Sequence, residues 1–180
     1  MNKKHTICIA GAGDLSHLGL EMIDEAKKLG EYLAEQDVIV HTAAASGFSF
    51  WVSKGVVSKK GHTVGFSPAA NKDEHSDLYK LPLDPFSSVV YTGLGYPGRN
   101  LMMMRSSDAL VVGPGQIETF HEFMTALEEN KLVGVWEGPW EIDDAVHELI
   151  GKKGKTLNVI FEKDPEKLVS RITKILDTNK

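Results

Sequence analysis

The reading of this chain turns on residues 98–122, GRNLMMMRSSDALVVGPGQIETFHE. Arg99 and Arg105 bracket a segment of helical character, Ala109–Val112 is an apolar run of strand type, and Gly113-Pro114-Gly115 makes a sharp turn. A second helical segment follows, with Glu118 and Glu122 in its opening turns. In a parallel sheet the end of a strand and the start of the next helix lie along one edge, where ligands bind. Arginine carries a permanent charge on a planar fork of donors suited to phosphate or carboxylate. Helix N-termini offer unpaired N–H groups to anions. The stretch therefore predicts an anion-and-sugar site at the carboxyl edge of a sheet, with both arginines and both glutamates around one turn. Arg105 has a local alternative, an ion pair with Asp108. Glu118 and Glu122 are four apart and share a helix face; a solvated face is the alternative for them. His121 is expected on a different face.

Working outward, apolar runs and helical patterns alternate along the whole chain. Strands are expected at Thr6–Ala10, 38–40, 63–66, 89–91, Ala109–Val112, 133–136 and 157–161. One helix is expected where Leu18, Met22, Ala26, Leu29 and Leu33 recur at helical spacing. Others are expected at 48–60, 99–106, 118–130 and 142–150, with a last one opened by Asp164 and Pro165 and ending near Leu176. Residues 68–85 are polar and proline-containing and read as a long loop. No run of hairpin turns interrupts the alternation. The expectation is a single α/β domain over residues 1–180, doubly wound around a mostly parallel sheet of about seven strands.

Bulk properties narrow the function classes. A chain of 180 residues suits one well-packed domain. A net charge of -5 without a basic block argues against sequence-independent nucleic-acid binding. The single cysteine, Cys8, cannot form an internal disulfide, so a reducing cytoplasm is expected. The apolar run after the basic N-terminus is too short for a signal-peptide core or a membrane span. The histidines lack metal-ligand spacing, and no metal or cofactor is expected.

Three loops fall at the expected ligand edge. Residues 11–16, GAGDLS, come close to a dinucleotide fingerprint, but Ser16 stands where the third glycine would be and no carboxylate ends the second strand. Gly11 and Gly13 serve either a mononucleotide or a tight turn. Residues 42–47, TAAASG, are small, although alanine, unlike glycine, resists positive φ. Phe48, Phe50 and Trp51 come next, as base-stacking candidates or as a buried helix face, and His41 could face a pocket. In the third loop, residues 113–119, Gln116 and Thr119 would bring backbone N–H groups and a hydroxyl.

With these residues in view, most of the chain resembles the LONELY GUY (LOG) type of Rossmann-fold protein, often described as possible lysine decarboxylases, in particular a bacterial and archaeal branch. The resemblance is carried by Arg99 to Arg105, by the turn from Pro114 to Glu122, which follows a PGGxGTxxE pattern, and by residues 65–71 and 91–93. It implies a Rossmann-like fold, a dimer or higher homo-oligomer, and a phosphoribohydrolase that releases free base and ribose 5-phosphate from a nucleoside 5′-monophosphate. It places Arg99 and Glu122 on the family's catalytic positions and Gly115 and Thr119 on its phosphate loop. The chain departs from the pattern at Ala43 and Ala44 for a glycine pair, Gln116 and Glu118 for two glycines, and Asn100 for a lysine.

The expected site thus comprises Arg99 and Glu122 as catalytic residues, with Gly11, Gly13, Ala44, Gly115, Gln116, Glu118 and Thr119 binding the ligand. A carboxylate near the anomeric carbon would stabilise positive charge developing on the ribose and orient water, and Arg99 would hold an anionic group or steady the leaving group. Glu118 sets a second carboxylate close to the expected phosphate, an opposition on the order of several kcal/mol in a partly dry site. The alternative is a non-catalytic binding or carrier protein for a phosphorylated nucleotide or a molybdopterin-like ligand, since the resemblance extends to relatives that carry a molybdenum-pterin cofactor. Neither reading involves nucleic acid or membrane.

Overall fold

The computed structural model describes residues 4–16, 18–153 and 158–178. Seven strands form one sheet: β1 (Thr6–Ala10), β2 (Ile39–Thr42), β3 (His62–Ser67), β4 (Ser88–Tyr91), β5 (Ala109–Val112), β6 (Leu132–Trp136) and β7 (Val159–Glu162). Their order is β4-β3-β2-β1-β5-β6-β7, and every neighbouring pair is parallel. The helices are α1 (Leu20–Glu35), α2 (Phe48–Ser58), α3 (Gly95–Arg105), α4 (Ile117–Glu128), α5 (Glu141–Lys153) and α6 (Pro165–Thr178). Leu157, expected to open the last strand, lies outside the described residues.

The central strands are apolar on both sides because both sides are covered. Ile7 and Ile9 of β1, with Ala109 and Val111 of β5, face a core completed by α1, α2 and α6. Cys8 and Ala10, with Leu110 and Val112, face the opposite core, built with α3, α4 and α5. The two-residue period of a strand divides the apolar set between two layers. This is the doubly wound α/β architecture that the alternation predicts. The chain grows one way from β1 through β4, then crosses back to place β5 against the other side of β1. The helices that follow β1 and β5 cover opposite faces of the sheet, and at such a reversal a parallel sheet opens a crevice.

Several local expectations need correction. The third helix begins at Gly95, before Arg99, because Pro97 falls in a first turn where its missing N–H removes no helical bond. Residues 68–85 are not all loop: Glu74–Leu78 form a π-helical turn. It is anchored by fully buried His75, whose Nε2 donates to the Pro82 carbonyl at 3.0 Å and whose Nδ1 meets Ser67 Oγ at 2.8 Å. That anchor is tertiary, so local propensity does not reveal it. Within α3, whose methionines carry no expectation from the sequence, Met103 and Met104 are buried in the core and Met102 is exposed. Asp164 does cap the last helix, accepting from the N–H groups of Glu166 and Lys167 at 3.0 and 3.1 Å.

Helices α1 and α2 cross backbone to backbone. A Cβ at Gly30 would strike the Val52 carbonyl, and one at Gly55 the Lys27 carbonyl. Gly30→Ala or Gly55→Ala should therefore destabilise by about 1–3 kcal/mol through overpacking, despite alanine's helix propensity being better by about 1 kcal/mol. Urea denaturation measures this. A variant as stable as the parent would mean that the helices separate freely.

Candidate functional site

The three expected loops converge at the reversal point and are tied together. The Ala12 N–H donates to the Pro114 carbonyl at 2.6 Å, and the Phe48 N–H donates to the Ala12 carbonyl at 2.9 Å. The fully buried Phe48 ring lies against both Gly11 and Gly113, where a Cβ would collide with it. Phe48 is thus not a base-stacking platform, and packing against its ring accounts for the glycine at 11. Gly13 has open space where a side chain would be. The fully buried Ala44 does adopt the left-handed region, with φ 51°. A non-glycine residue there is strained by about 1–2 kcal/mol.

Beside these loops lies a cavity of about 340 Å³. Its wall includes Gly11 and Gly13 from the first loop, Ala43 and Ser46 from the second, Tyr96, Arg99 and Asn100 from α3, and Glu118, His121 and Glu122 from α4. Of the expected site residues, Arg99, Glu122, Gly11, Gly13 and Glu118 line this cavity. Ala44, Gly115, Gln116 and Thr119 lie outside its wall. Thr119 is packed under Gly115, and among the described residues its buried hydroxyl has no hydrogen-bond partner. Gln116, the residue before α4, makes no side-chain cap, so the donors of that helix end are free of one usual competitor.

Arg99 and Glu122, 23 positions apart in the numbering, are both buried and approach to 3.9 Å between Nη2 and Oε1. The guanidinium is further engaged, Nη1 donating to the Ala43 carbonyl at 2.7 Å and Nε to Asn100 Oδ1 at 2.9 Å. Burial pushes the Glu122 carboxyl up to about 7; Arg99 pulls it down, and Glu118 adds to the rise. Burial also raises the Cys8 thiol, with Glu122 adding to the rise and Arg99 opposing it. Cys8 therefore lies within electrostatic reach of the pair, on the same side of β1.

Two residues change role. Arg105 is not at the site: it makes two 3.0 Å hydrogen bonds with Glu129 at the far end of α4, while Asp108 accepts from the Thr6 N–H at 2.8 Å and hydroxyl at 2.9 Å. His121 is at the site, which the sequence reading missed. It is three residues from Glu118, and helical neighbours at that spacing share a face, so the signal was available. His41 is buried against Ser107 Oγ at 2.9 Å, outside the cavity wall, and burial lowers it to about 4.

The state of Glu122 is testable through stability. Its value is raised on folding, so between the ordinary carboxylate range and about 7 the folded protein binds more protons than the unfolded chain. This contribution to stability is complete below the unfolded value and is lost as pH rises to about 7. Glu122→Gln mimics the protonated group and should abolish the loss. Between roughly pH 5 and pH 8 the parent should lose on the order of 3 kcal/mol relative to the variant in urea denaturation. A difference independent of pH would show Glu122 to be ionised throughout.

Comparison with known proteins places this architecture. An uncharacterized protein of Archaeoglobus fulgidus is 29% identical over 137 residues, covering 76% of this chain and 83% of that protein. The X-ray structure of TM1055 superposes with a TM-score of 0.81 at 22% identity, covering 96% of this chain and 99% of the other. The molybdenum cofactor binding protein of Rippkaea orientalis gives a TM-score of 0.79 at 22% identity, covering 98% and 99%. These structural likenesses establish a shared Rossmann-like fold. Among the described residues no helix is long and apolar enough to cross a membrane. Residues 4–169 match the family model for the SLOG cluster4 family, and the chain belongs to that family.

Proposed function

We propose that the protein binds a phosphorylated small molecule of nucleotide or pterin-nucleotide type in the cavity bounded by the loops after β1 and β2 and by α3 and α4, and holds or carries it. The observation that carries this reading is the buried Arg99 in a cavity that also meets the opening turn of α4, whose N-terminus has no side-chain cap. A fixed cation and oriented N–H groups are complementary to a phosphate. The structural similarity to a molybdenum cofactor binding protein supports a holding role. In this reading Gly11 and Gly13 lie along the ligand, Ala44 shapes the second loop, and Gly115, Gln116 and Thr119 support the phosphate end.

The Arg99–Glu122 pair favours a second reading, cleavage of the N-glycosidic bond of a nucleoside monophosphate, as expected of a LOG-type phosphoribohydrolase. A carboxyl raised to about 7 changes protonation near neutrality, as a group that activates water must. Its carboxylate form would stabilise the ribose cation, and Arg99 would steady the departing base or the phosphate. A homodimer remains part of the proposal, with Leu94, Tyr96 and Met102 as the exposed apolar residues of the α3 region available to it.

Two measurements separate these readings. Incubated with AMP, a carrier should bind the nucleotide without releasing adenine. A hydrolase should release adenine, and Glu122→Ala should reduce that release at least about 100-fold, the usual worth of a general base. Charge at the rim is a distinct test: Glu118→Gln should tighten AMP by about tenfold in low salt, with the gain shrinking as salt screens it. Calorimetric titration showing unchanged affinity would place the phosphate away from Glu118.

A further inference from the structure

We infer that His121 is held with its ring proton on Nε2, by a hydrogen-bond relay from Arg99 through Asn100, and presents that proton to an acceptor atom of the bound ligand. Arg99 Nε carries a hydrogen and has no lone pair to offer, so its 2.9 Å partner on Asn100 is the amide oxygen. The Asn100 amide is thereby oriented, and its nitrogen is the atom 2.9 Å from His121 Nδ1. An amide NH₂ only donates, so Nδ1 of the neutral ring accepts and the ring proton resides on Nε2. The chain begins at a buried guanidinium, and Asn100 is itself 5% exposed, so both donors are fixed in place. His121 lines the cavity, and among the described residues no hydrogen bond to its Nε2 is formed.

The consequence is a polarity of recognition. Glu118 and Glu122 bring carboxylates to the α4 side of the cavity, whereas His121 on the same face brings an N–H donor. A matching ligand places a carbonyl oxygen, an unprotonated ring nitrogen or a phosphate oxygen beside His121. Asn100 acts as a positioning residue that sets which ring nitrogen is the donor. The ligand half of this inference rests on the proposed binding site; the tautomer half does not.

The tautomer is read directly from long-range ¹H–¹⁵N correlation spectra of labelled protein at a pH where the ring is neutral. The His121 signals are identified by their loss in His121→Gln. The expected result is the Nε2–H form. In Asn100→Asp the carboxylate can accept from both Arg99 Nε and the ring, so the proton should move to Nδ1. A parent ring already protonated on Nδ1, or an even mixture, would overturn the relay, and so would a folded Asn100→Asp protein with an unchanged tautomer. Recognition is tested with AMP. His121→Gln keeps an N–H donor at similar reach and should bind within about threefold of the parent, while His121→Phe keeps a ring without the donor and should bind about tenfold more weakly. Equal affinities for the two variants would overturn the recognition role. Failure of the parent to bind AMP would overturn the nucleotide reading and that role together, with the tautomer still decided by the spectra alone.

Discussion

The packing of the Phe48 ring between Gly11 and Gly113 is the constraint on which the ligand edge depends. The ring comes from the first residue of α2, yet it lies against the loops that leave β1 and β5. It also approaches Trp136 at the end of β6, with ring centroids 5.9 Å apart. One aromatic group thus touches three adjacent strand ends at the reversal point of the sheet. The backbone bonds from Ala12 to Pro114 and from Phe48 to Ala12 complete the tie. Buried aromatic area contributes strongly to stability, and here it holds the floor beside which α3 and α4 set their side chains.

Charge at the cavity is balanced by geometry. Arg99 divides its donors among a carbonyl, an amide oxygen and, at longer range, Glu122. The carboxylate is too far for a tight ion pair, which is consistent with burial dominating its behaviour over attraction. A buried guanidinium whose two hydrogen bonds go to neutral acceptors keeps its positive field without being cancelled, a state costly to create and useful for holding an anion. Glu118, on the exposed rim, opposes that field from a position where solvent screens it.

The fold was legible because apolar runs and helical periodicity alternate without interruption, and that pattern admits few architectures. The Arg99–Glu122 meeting was legible because strand β5 and its turn fix where the ends of α3 and α4 must lie. What escaped was side-chain partnership. Arg105 was within reach of Asp108 by sequence, but the helix end turns it to Glu129, and Asp108 is occupied by Thr6. Gly11 reads as serving a mononucleotide or a tight turn, and the aromatic ring packed against it, 37 positions later in the numbering, leaves no local sign. Ala44 was judged unfit for positive φ on intrinsic preference, and the surrounding structure overrides that preference. Such pairings arise from packing between elements, which no local pattern records.

Cys8 gives the arrangement a built-in clock. The thiol is fully enclosed on the α3–α4 side of β1, and burial disfavours the thiolate that alkylating reagents require. A reagent can reach it only during moments when those helices lift from the sheet. The speed at which this single sulfur is capped therefore reports how often the α3–α4 layer that carries Arg99 and Glu122 opens, without adding any foreign probe to the molecule.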